Sequence, residues 1–426
     1  MDLQDFSSIL KFNLEQNNIN KYMTNVWVYK NECCVVDFNI DGNKFAFDVK
    51  VGDGFSYVAY VDRQNDNNKK KLLECDFFSI EEICKTIVEK TSSIETKEMA
   101  EYSYDISVII PVYNREFLIG KCIDSLNAQT LNRDHFEVVF VDDFSKDNGI
   151  SVIKSLIKDD INYRVLKRPI NSGSASSPRN DGIKASKGRY VLFLDSDDFI
   201  LPYCLEELLN CVKRTDPDIV YLKIDGDKGR KFGIRPFAKG NVDRASISGN
   251  HLVRSLMPSK LVKKSLIIEN NIFFPIDIKV GEDRVFMIHA LSKSRRISIL
   301  ADKPYYYLTN HEQERMTNAV QSLEQDFEIV SRGFKHIYLS GKSVSEKQSF
   351  FSSWMNVVVE AYVKNRIKSK KNTIIAKSEY ISLLIRDFAF YADLHSDEQI
   401  YPEFKELYKI FSLGNVDDIV TYCLKS

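Results

Sequence analysis

Hydrophobic and polar positions along this chain fall into three textures. In residues 1–100 a helix-like start leads into the runs NVWVYK, CCVVDFNI, KFAFDVKV and FSYVAYVD. β-Branched and aromatic residues at period two, broken at Asp41-Gly42-Asn43 and Asp53-Gly54, predict strands joined by turns. Gln64–Lys71 reads as an exposed polar loop, and Ser79–Lys90 as a helix. The stretch TSSIETKEMAEYS, 91–103, is the linker candidate. Together these signals predict an N-terminal accessory α+β module over 1–100.

The texture changes in residues 101–320, where short apolar runs alternate with helical patterns. Strands are predicted at Ile106–Ile110, Phe136–Val141, Tyr163–Leu166, Tyr190–Leu194 and Ile219–Ile224. Helices are predicted at Phe117–Asn127, Gly149–Lys158, Pro178–Ser186 and Pro202–Arg214. Such a β-α-β-α order predicts an α/β domain with a mostly parallel sheet covered by helices on both faces. Ligands on such sheets sit beyond the carboxyl ends of the strands.

In residues 321–426 apolar positions recur at three- and four-residue spacing. SLEQDFEIVSRGFKHIYL, KQSFFSSWMNVVVEAYVKNRI and SEYISLLIRDFAFYADLH predict amphipathic helices. These stripes suit packing on the α/β domain or self-association into a homo-oligomer equally well.

Polar clusters follow four of the predicted strands. The acidic one, FLDSDDF, places Asp195, Asp197 and Asp198 directly after an apolar run. Their mutual repulsion needs either solvation as an ordinary acidic turn or a cation. Asp195 and Asp197, two apart in a turn, can face one point and suit a hard divalent ion with oxygen ligands. Asp198 fits a helix cap or a supporting partner. In NSGSASSPRN, small residues from Gly173 to Ser177 let the backbone approach a ligand closely. Pro178 can open a helix whose N-terminal N–H groups favour an anion, and Arg179 adds a guanidinium suited to phosphate. Of Asp142-Asp143, one carboxylate can accept from a base N–H or a ribose hydroxyl, and one can cap the next helix. Tyr113, beside Pro111, fits a base-stacking ring or a core aromatic.

The motifs DISVIIPVYNREFLIGKCIDSLNAQT, EVVFVDDFSKDN and NSGSASSPRNDGIKASKGRYVLFLDSDDFILP resemble glycosyltransferase family 2. The resemblance implies an A-type (GT-A) nucleotide-diphospho-sugar transferase fold and a metal, Mn²⁺ or Mg²⁺, on Asp195 and Asp197. It also implies that Asp143 contacts the nucleoside base and that Pro111 and Tyr113 line that site. Asn171, Gly173 and Arg179 then lie near the diphosphate. Further on, MPSKLVKKSLIIENNIFFPIDIKVGEDRVFM and ISILADKPYYYLTNHEQERMT are similar to poly(ribitol-phosphate) N-acetylglucosaminyltransferases that decorate wall teichoic acid. That similarity implies a general base in Glu282-Asp283, Asp283 being the better candidate, and a loop carrying His311, Glu312 and Arg315 over the diphosphate. The chain departs from these relatives in its Ser/Ala-rich loop and in its first hundred residues.

The implied reaction is inverting, metal-dependent transfer from a UDP-sugar, with GlcNAc as the expected sugar, to a hydroxyl of a cell-surface polymer. A polymeric, lipid-linked or peptide acceptor is compatible with the motifs, including a capsular saccharide or a Ser or Cys of a secreted peptide. The non-enzyme alternative is an inactive binding protein on the same fold; intact Asp195, Asp197, Asp283 and Arg179 argue against it. A nucleotidyltransferase normally carries a Gly-rich basic loop after the first strand, and PVYNRE lacks one.

Bulk properties narrow the picture further. The 426 residues suggest two or three domains. A formal net charge of −1 gives no global field for nucleic acid. Eight cysteines without a CxxC pair read as reduced thiols. MDLQDFSSILKFNLEQ lacks the basic start and long apolar core of a signal peptide, and no run of about 18 apolar residues predicts a membrane span. A cytoplasmic enzyme is expected, with access to an acceptor at the inner face of the cell membrane.

Overall fold

Five of the chain's strands pair in simple sequence order. β1 (Met23–Tyr29), β2 (Cys33–Ile40), β3 (Asn43–Val51), β4 (Ser56–Asp62) and β5 (Lys71–Phe77) form an antiparallel sheet. Register places Trp27 opposite Val35 and Cys34 opposite Val49. β5 is absent from the sequence-based expectation, although KLLECDF alternates Leu73, Cys75 and Phe77 with Glu74 and Asp76. The computed structural model describes these five strands as backbone. It describes 102–228, 230, 232–311, 322–369, 372–396 and 399–425 with side chains. The predicted N-terminal helices and the 91–101 part of the linker lie outside the described residues.

By contact clustering, Met1–Ser103 with Ser265–Asn271 makes one unit, and Tyr104–Lys264 with Ile272–Ser426 the other. In the second unit, β6 (Tyr104–Val112), β7 (Phe136–Asp142), β8 (Tyr163–Lys167) and β9 (Gly188–Phe193) run parallel. Beyond them come β10 (Phe199–Ile200), β11 (Ile219–Leu222), β12 (Ile224–Gly226), β13 (Lys260–Lys263), β14 (Ile297–Leu300) and β15 (Tyr306–Leu308). The main sheet has the order β14-β11-β13-β9-β6-β7-β8, and a small sheet has the order β10-β15-β12. Only β13 runs against its neighbours in the main sheet, β9 and β11. The strand expected over Ile219–Ile224 is divided at Lys223. There the Lys223 N–H donates to Leu300 O at 2.8 Å and its carbonyl accepts from the Tyr305 N–H at 2.9 Å, handing the chain from one sheet to the other.

Helices cover both faces because β6 is apolar on both. One side of the sheet, with Ile106, Val108 and Ile110, packs with Cys122, Ile123 and Leu126 of α1 (Ile119–Asn127) and Ile153 of α2 (Gly149–Leu156). On the other side, α3 (Ser176–Ala185) presses Gly182 against Ile109. Leu205 and Leu208 of α4 (Cys204–Thr215) join the first side. Phe286 of α5 (Glu282–Lys293) joins the second. There Phe193 meets Phe274 and Phe286 edge-on at 5.2 and 5.6 Å, contacts worth about 0.5–1.5 kcal/mol each beyond burial.

The amphipathic stripes of the C-terminal region become α6 (Leu323–Tyr338), α7 (Val344–Val357) and α8 (Ile374–Ala389). A π-helical turn, Val358–Lys364, continues α7, and α9 (Lys405–Ser412) and α10 (Val416–Lys425) close the described chain. Phe334, Phe351, Phe388 and Tyr391 form their aromatic centre. α6 lies along α5, so the helical region packs on the element that carries Glu282 and Asp283. Among the described residues, no helix is long and apolar enough to cross a membrane.

Candidate active site

The acidic turn begins where β9 ends. The Leu194 N–H still donates to Ile109 O at 3.0 Å, which holds the turn at the level of the sheet edge. The Asp198 N–H then closes the turn on Asp195 O at 3.0 Å. Asp198 is buried and caps no helix: it accepts from the Thr309 N–H at 2.9 Å and from the Tyr306 hydroxyl at 3.1 Å. Burial, joined by the charges of Asp195 and Asp197, pushes its carboxyl well above the usual range. A cation among the three carboxylates would reverse the charge part of that push.

Asp195 and Asp197 stay partly exposed and use their oxygens differently. Asp195 Oδ1 accepts from Arg179 Nη2 at 2.8 Å. Asp197 Oδ2 lies 2.6 Å from His311 Nε2, and the Thr309 hydroxyl donates to Asp197 O. Each carboxylate keeps a second oxygen with acceptor capacity. The His311 ring is 8% exposed, and its buried Nδ1 has no hydrogen-bond partner. No group of three or more His, Cys, Asp or Glu side chains is gathered to hold a metal alone among the described residues. This donor set fits Mg²⁺ or Mn²⁺, which bind through one or two carboxylates and take remaining ligands from water and phosphate.

Arg179 is the centre of the constellation. It is 5% exposed, and its guanidinium also donates through Nη1 to Glu282 Oε1 at 2.9 Å. Phe274 covers it with a ring centroid 5.2 Å from Cζ. α3 is aimed by its neighbours: Asn180 exchanges two hydrogen bonds with the Phe274 backbone, and the Ser176 hydroxyl donates to Pro275 O. The helix starts at Ser176, two residues before Pro178, the expected first position. Thus Arg179 is locked between two carboxylates rather than extended into solvent.

Glu282 and Asp283 open α5 after Gly281 in the left-handed region. Burial raises the Glu282 carboxyl, Asp283 raises it further, and Arg179 opposes both. Burial also raises Asp283, against Arg284 and Arg179. The two differ in engagement. Glu282 is committed to Arg179, whereas Asp283 Oδ1, among the described residues, accepts from the adjacent Arg284 N–H, at 2.8 Å, and the residue is partly exposed. Of the two, Glu282 is the one that carries an ion pair, to Arg179.

At another strand end, Asp143 follows β7. It is buried and paired with Arg168 Nη1 at 2.6 Å, and it accepts from the Ser172 N–H and hydroxyl at 3.0 and 2.8 Å. Asn171 donates to Asp143 O and accepts from the Gly173 N–H. Asp142 holds its turn by accepting from the Ser145 N–H at 3.1 Å and caps no helix. Gly173 has φ +77°, and a Cβ there would meet nothing within 4 Å, so this backbone is left-handed and open to close approach. Pro111 is paired inside β6 opposite Val141, while Tyr113, just past the strand, is 44% exposed. Glu312 and Arg315 lie outside the described residues.

The structure thus gathers Arg179, Asp195 and Glu282 directly, with Asp283 and Asp197 beside them. Sequence reasoning missed Tyr306, Thr309, Arg168 and Phe274. Tyr306 carried a usable signal: it is the middle of Tyr305-Tyr306-Tyr307, and its hydroxyl accepts from the Asp195 N–H at 3.1 Å. Arg168 and Phe274 carried none, since only folding brings them to Asp143 and Arg179.

The family model described as "Glycosyl transferase family 2" matches residues 107–268. The poly(ribitol-phosphate) β-glucosyltransferase of Bacillus spizizenii is 34% identical over 70% of this chain and 47% of its own length. The poly(ribitol-phosphate) β-N-acetylglucosaminyltransferase TarP of Staphylococcus aureus is 37% identical over 55% of this chain and 72% of its own. The crystal structure of S. aureus TarS 1-349 in complex with UDP-GlcNAc superposes with a TM-score of 0.67 at 27% identity. It covers 74% of this chain and 90% of that one. The chain spans less than half the length of the Bacillus spizizenii relative and of full TarS, 47% and 43%.

Proposed function

Because the chain belongs to glycosyltransferase family 2, with the GT-A fold, we propose that it transfers a sugar with inversion from a UDP-sugar to a hydroxyl of poly(ribitol phosphate). The observation that carries this reading is Arg179, which joins the acidic turn at Asp195 to the Glu282-Asp283 helix start. A carboxylate pair for the diphosphate end and a carboxylate for the acceptor end then face one crevice.

Each group has a task in that reaction. Asp143, Pro111 and Tyr113 hold the nucleoside. Asn171 and Gly173 shape the backbone beside the diphosphate. Asp195 and Asp197 would hold Mn²⁺ or Mg²⁺, which offsets charge on the departing diphosphate when bound. Arg179 aims Asp195 through its ion pair, and His311 aims Asp197 through its hydrogen bond. Asp283 takes the proton of the acceptor hydroxyl as that oxygen attacks the anomeric carbon. Burial raises its proton affinity, which favours uptake of that proton. One carboxylate suffices, because inversion needs no covalent sugar intermediate.

GlcNAc is the first choice of sugar, from the similarity to TarP and TarS; glucose is the second, from the Bacillus spizizenii relative. An acceptor that is lipid-linked places the enzyme at the inner face of the membrane. The deciding experiment pairs UDP-GlcNAc, UDP-glucose and UDP-galactose with poly(ribitol phosphate), poly(glycerol phosphate) and peptide, read by mass spectrometry. Transfer to poly(ribitol phosphate) is expected; transfer to peptide alone would sink the acceptor assignment.

A further inference from the structure

Arg284 is oddly placed. It sits in the first turn of α5, where the helix dipole favours anions and opposes a cation. Something outside the helix must hold it there. Its Nη1 donates to the Tyr362 hydroxyl, and its Cζ lies 5.4 Å from the centroid of that ring. Tyr362 is 1% exposed and stands in the π-helical turn Val358–Lys364, a geometry that recurs at functional sites. Behind it, Arg366 Nη2 donates to the fully buried Asp326 on α6 at 2.9 Å. Charges thus alternate from Asp283 through Arg284 to Asp326 and Arg366, with the Tyr362 hydroxyl between.

We propose that Arg284 and Tyr362 are positioning residues for Asp283, making the C-terminal helical region a working part of the active site. The inference rests on Asp283 being the base. A helix's first residues point wherever its rotation about its own axis puts them. Arg179 fixes one side of the α5 start through Glu282. Arg284, anchored on Tyr362, fixes the other, and its N–H donates to Asp283 Oδ1. The Asp283 carboxylate is thereby held by the Arg284 N–H while Glu282 is held by Arg179. Tyr362 touches no substrate in this account. It acts through Arg284, and Arg284 acts through Asp283.

The test is steady-state kinetics of the full chain with UDP-GlcNAc or UDP-glucose and poly(ribitol phosphate), with melting temperatures of the same variants. Tyr362→Phe keeps the ring and removes the anchor. It is expected to lower kcat at least about tenfold with donor KM within about twofold. Arg284→Gln should lose more, and Arg284→Lys, which keeps the charge, should recover part of that loss. A merely structural role would lower the melting temperature and leave kcat intact below it, and that outcome overturns the inference. Asp283→Asn is the control. If it abolishes transfer while Tyr362→Phe keeps wild-type kcat, the positioning role alone fails. If Asp283→Asn transfers normally, the base assignment fails and this inference with it.

Discussion

Arg179 Nη2 stands 2.8 Å from Asp195 Oδ1, so a residue of the first turn of α3 pairs with the acidic turn 16 positions later in the chain. The same guanidinium holds Glu282, 103 positions away. Removing it leaves two carboxylates without their shared cation, and breaking a buried pair from one side costs about 3–5 kcal/mol. Arg179→Ala should therefore lower both the melting temperature and turnover. Arg179→Lys should also fail, because an ammonium cannot bridge both carboxylates in the fork geometry. A lysine variant with wild-type turnover would show that the bridge has no catalytic consequence.

For the cation, the expectation is dependence on Mn²⁺ or Mg²⁺ and collapse of turnover in Asp197→Ala. Titration of Mn²⁺ into the UDP complex by calorimetry measures the site directly. Undiminished turnover in excess chelator would remove the metal from the reaction.

Asp283→Asn and Glu282→Gln should separate binding from chemistry. The asparagine is expected to keep UDP affinity and lose transfer by a factor on the order of 10²–10⁴. The glutamine removes a partner of Arg179, so it should weaken stability as well as rate. Equal rates for wild type and Asp283→Asn would put the base elsewhere.

Close packing of α3 on β6 can be tested at Gly182. A Cβ there would lie 2.3 Å from Ile109 Cγ2, inside a β-branched side chain with little freedom. The gain in helix propensity from Gly182→Ala is about 1 kcal/mol, and overpacking costs about 1–3 kcal/mol. A lower unfolding midpoint in urea is the expected net result; a higher one would mean Ile109 gives way freely.

Acid should loosen the contact between α5 and α6. His289 and His336 stack there with centroids 3.9 Å apart. Burial, with Lys293 nearby, lowers His289 to about 4; burial, with His289 and Lys293, lowers His336 to about 3. Both stay neutral in the fold while the unfolded chain takes up protons below about 6.5. Stability is therefore lost as pH falls from about 6.5 toward 4 and then 3. His336→Phe should flatten this dependence, seen as a melting-temperature gap from wild type that grows in the variant's favour between pH 7 and 4.5. A constant gap would exclude the pair as the acid-sensitive element.

Much was legible before folding because it is local. The alternation of Ile106, Val108 and Ile110 predicts a buried strand, and the halt from Leu194 into Asp195-Ser-Asp-Asp marks its end at a ligand crevice. The stripes in SLEQDFEIVSRGFKHIYL predict α6 in the same way. Such signals survive because side-chain period and backbone geometry are set by near neighbours. Tertiary structure decided the rest. Which acids share a cation depends on where α3 and α5 dock, so no spacing rule joins Arg179 to Glu282. Asp198 became a buried partner of Tyr306 and Thr309 because β15 returns beside β10, not because of any cap signal in its own turn. Division of the expected Ile219–Ile224 strand between two sheets likewise turns on the backbone partners that Leu300 and Tyr305 bring to Lys223. Long-range hydrogen bonds and ion pairs form between groups that the linear order keeps apart, and only the packed chain selects among them.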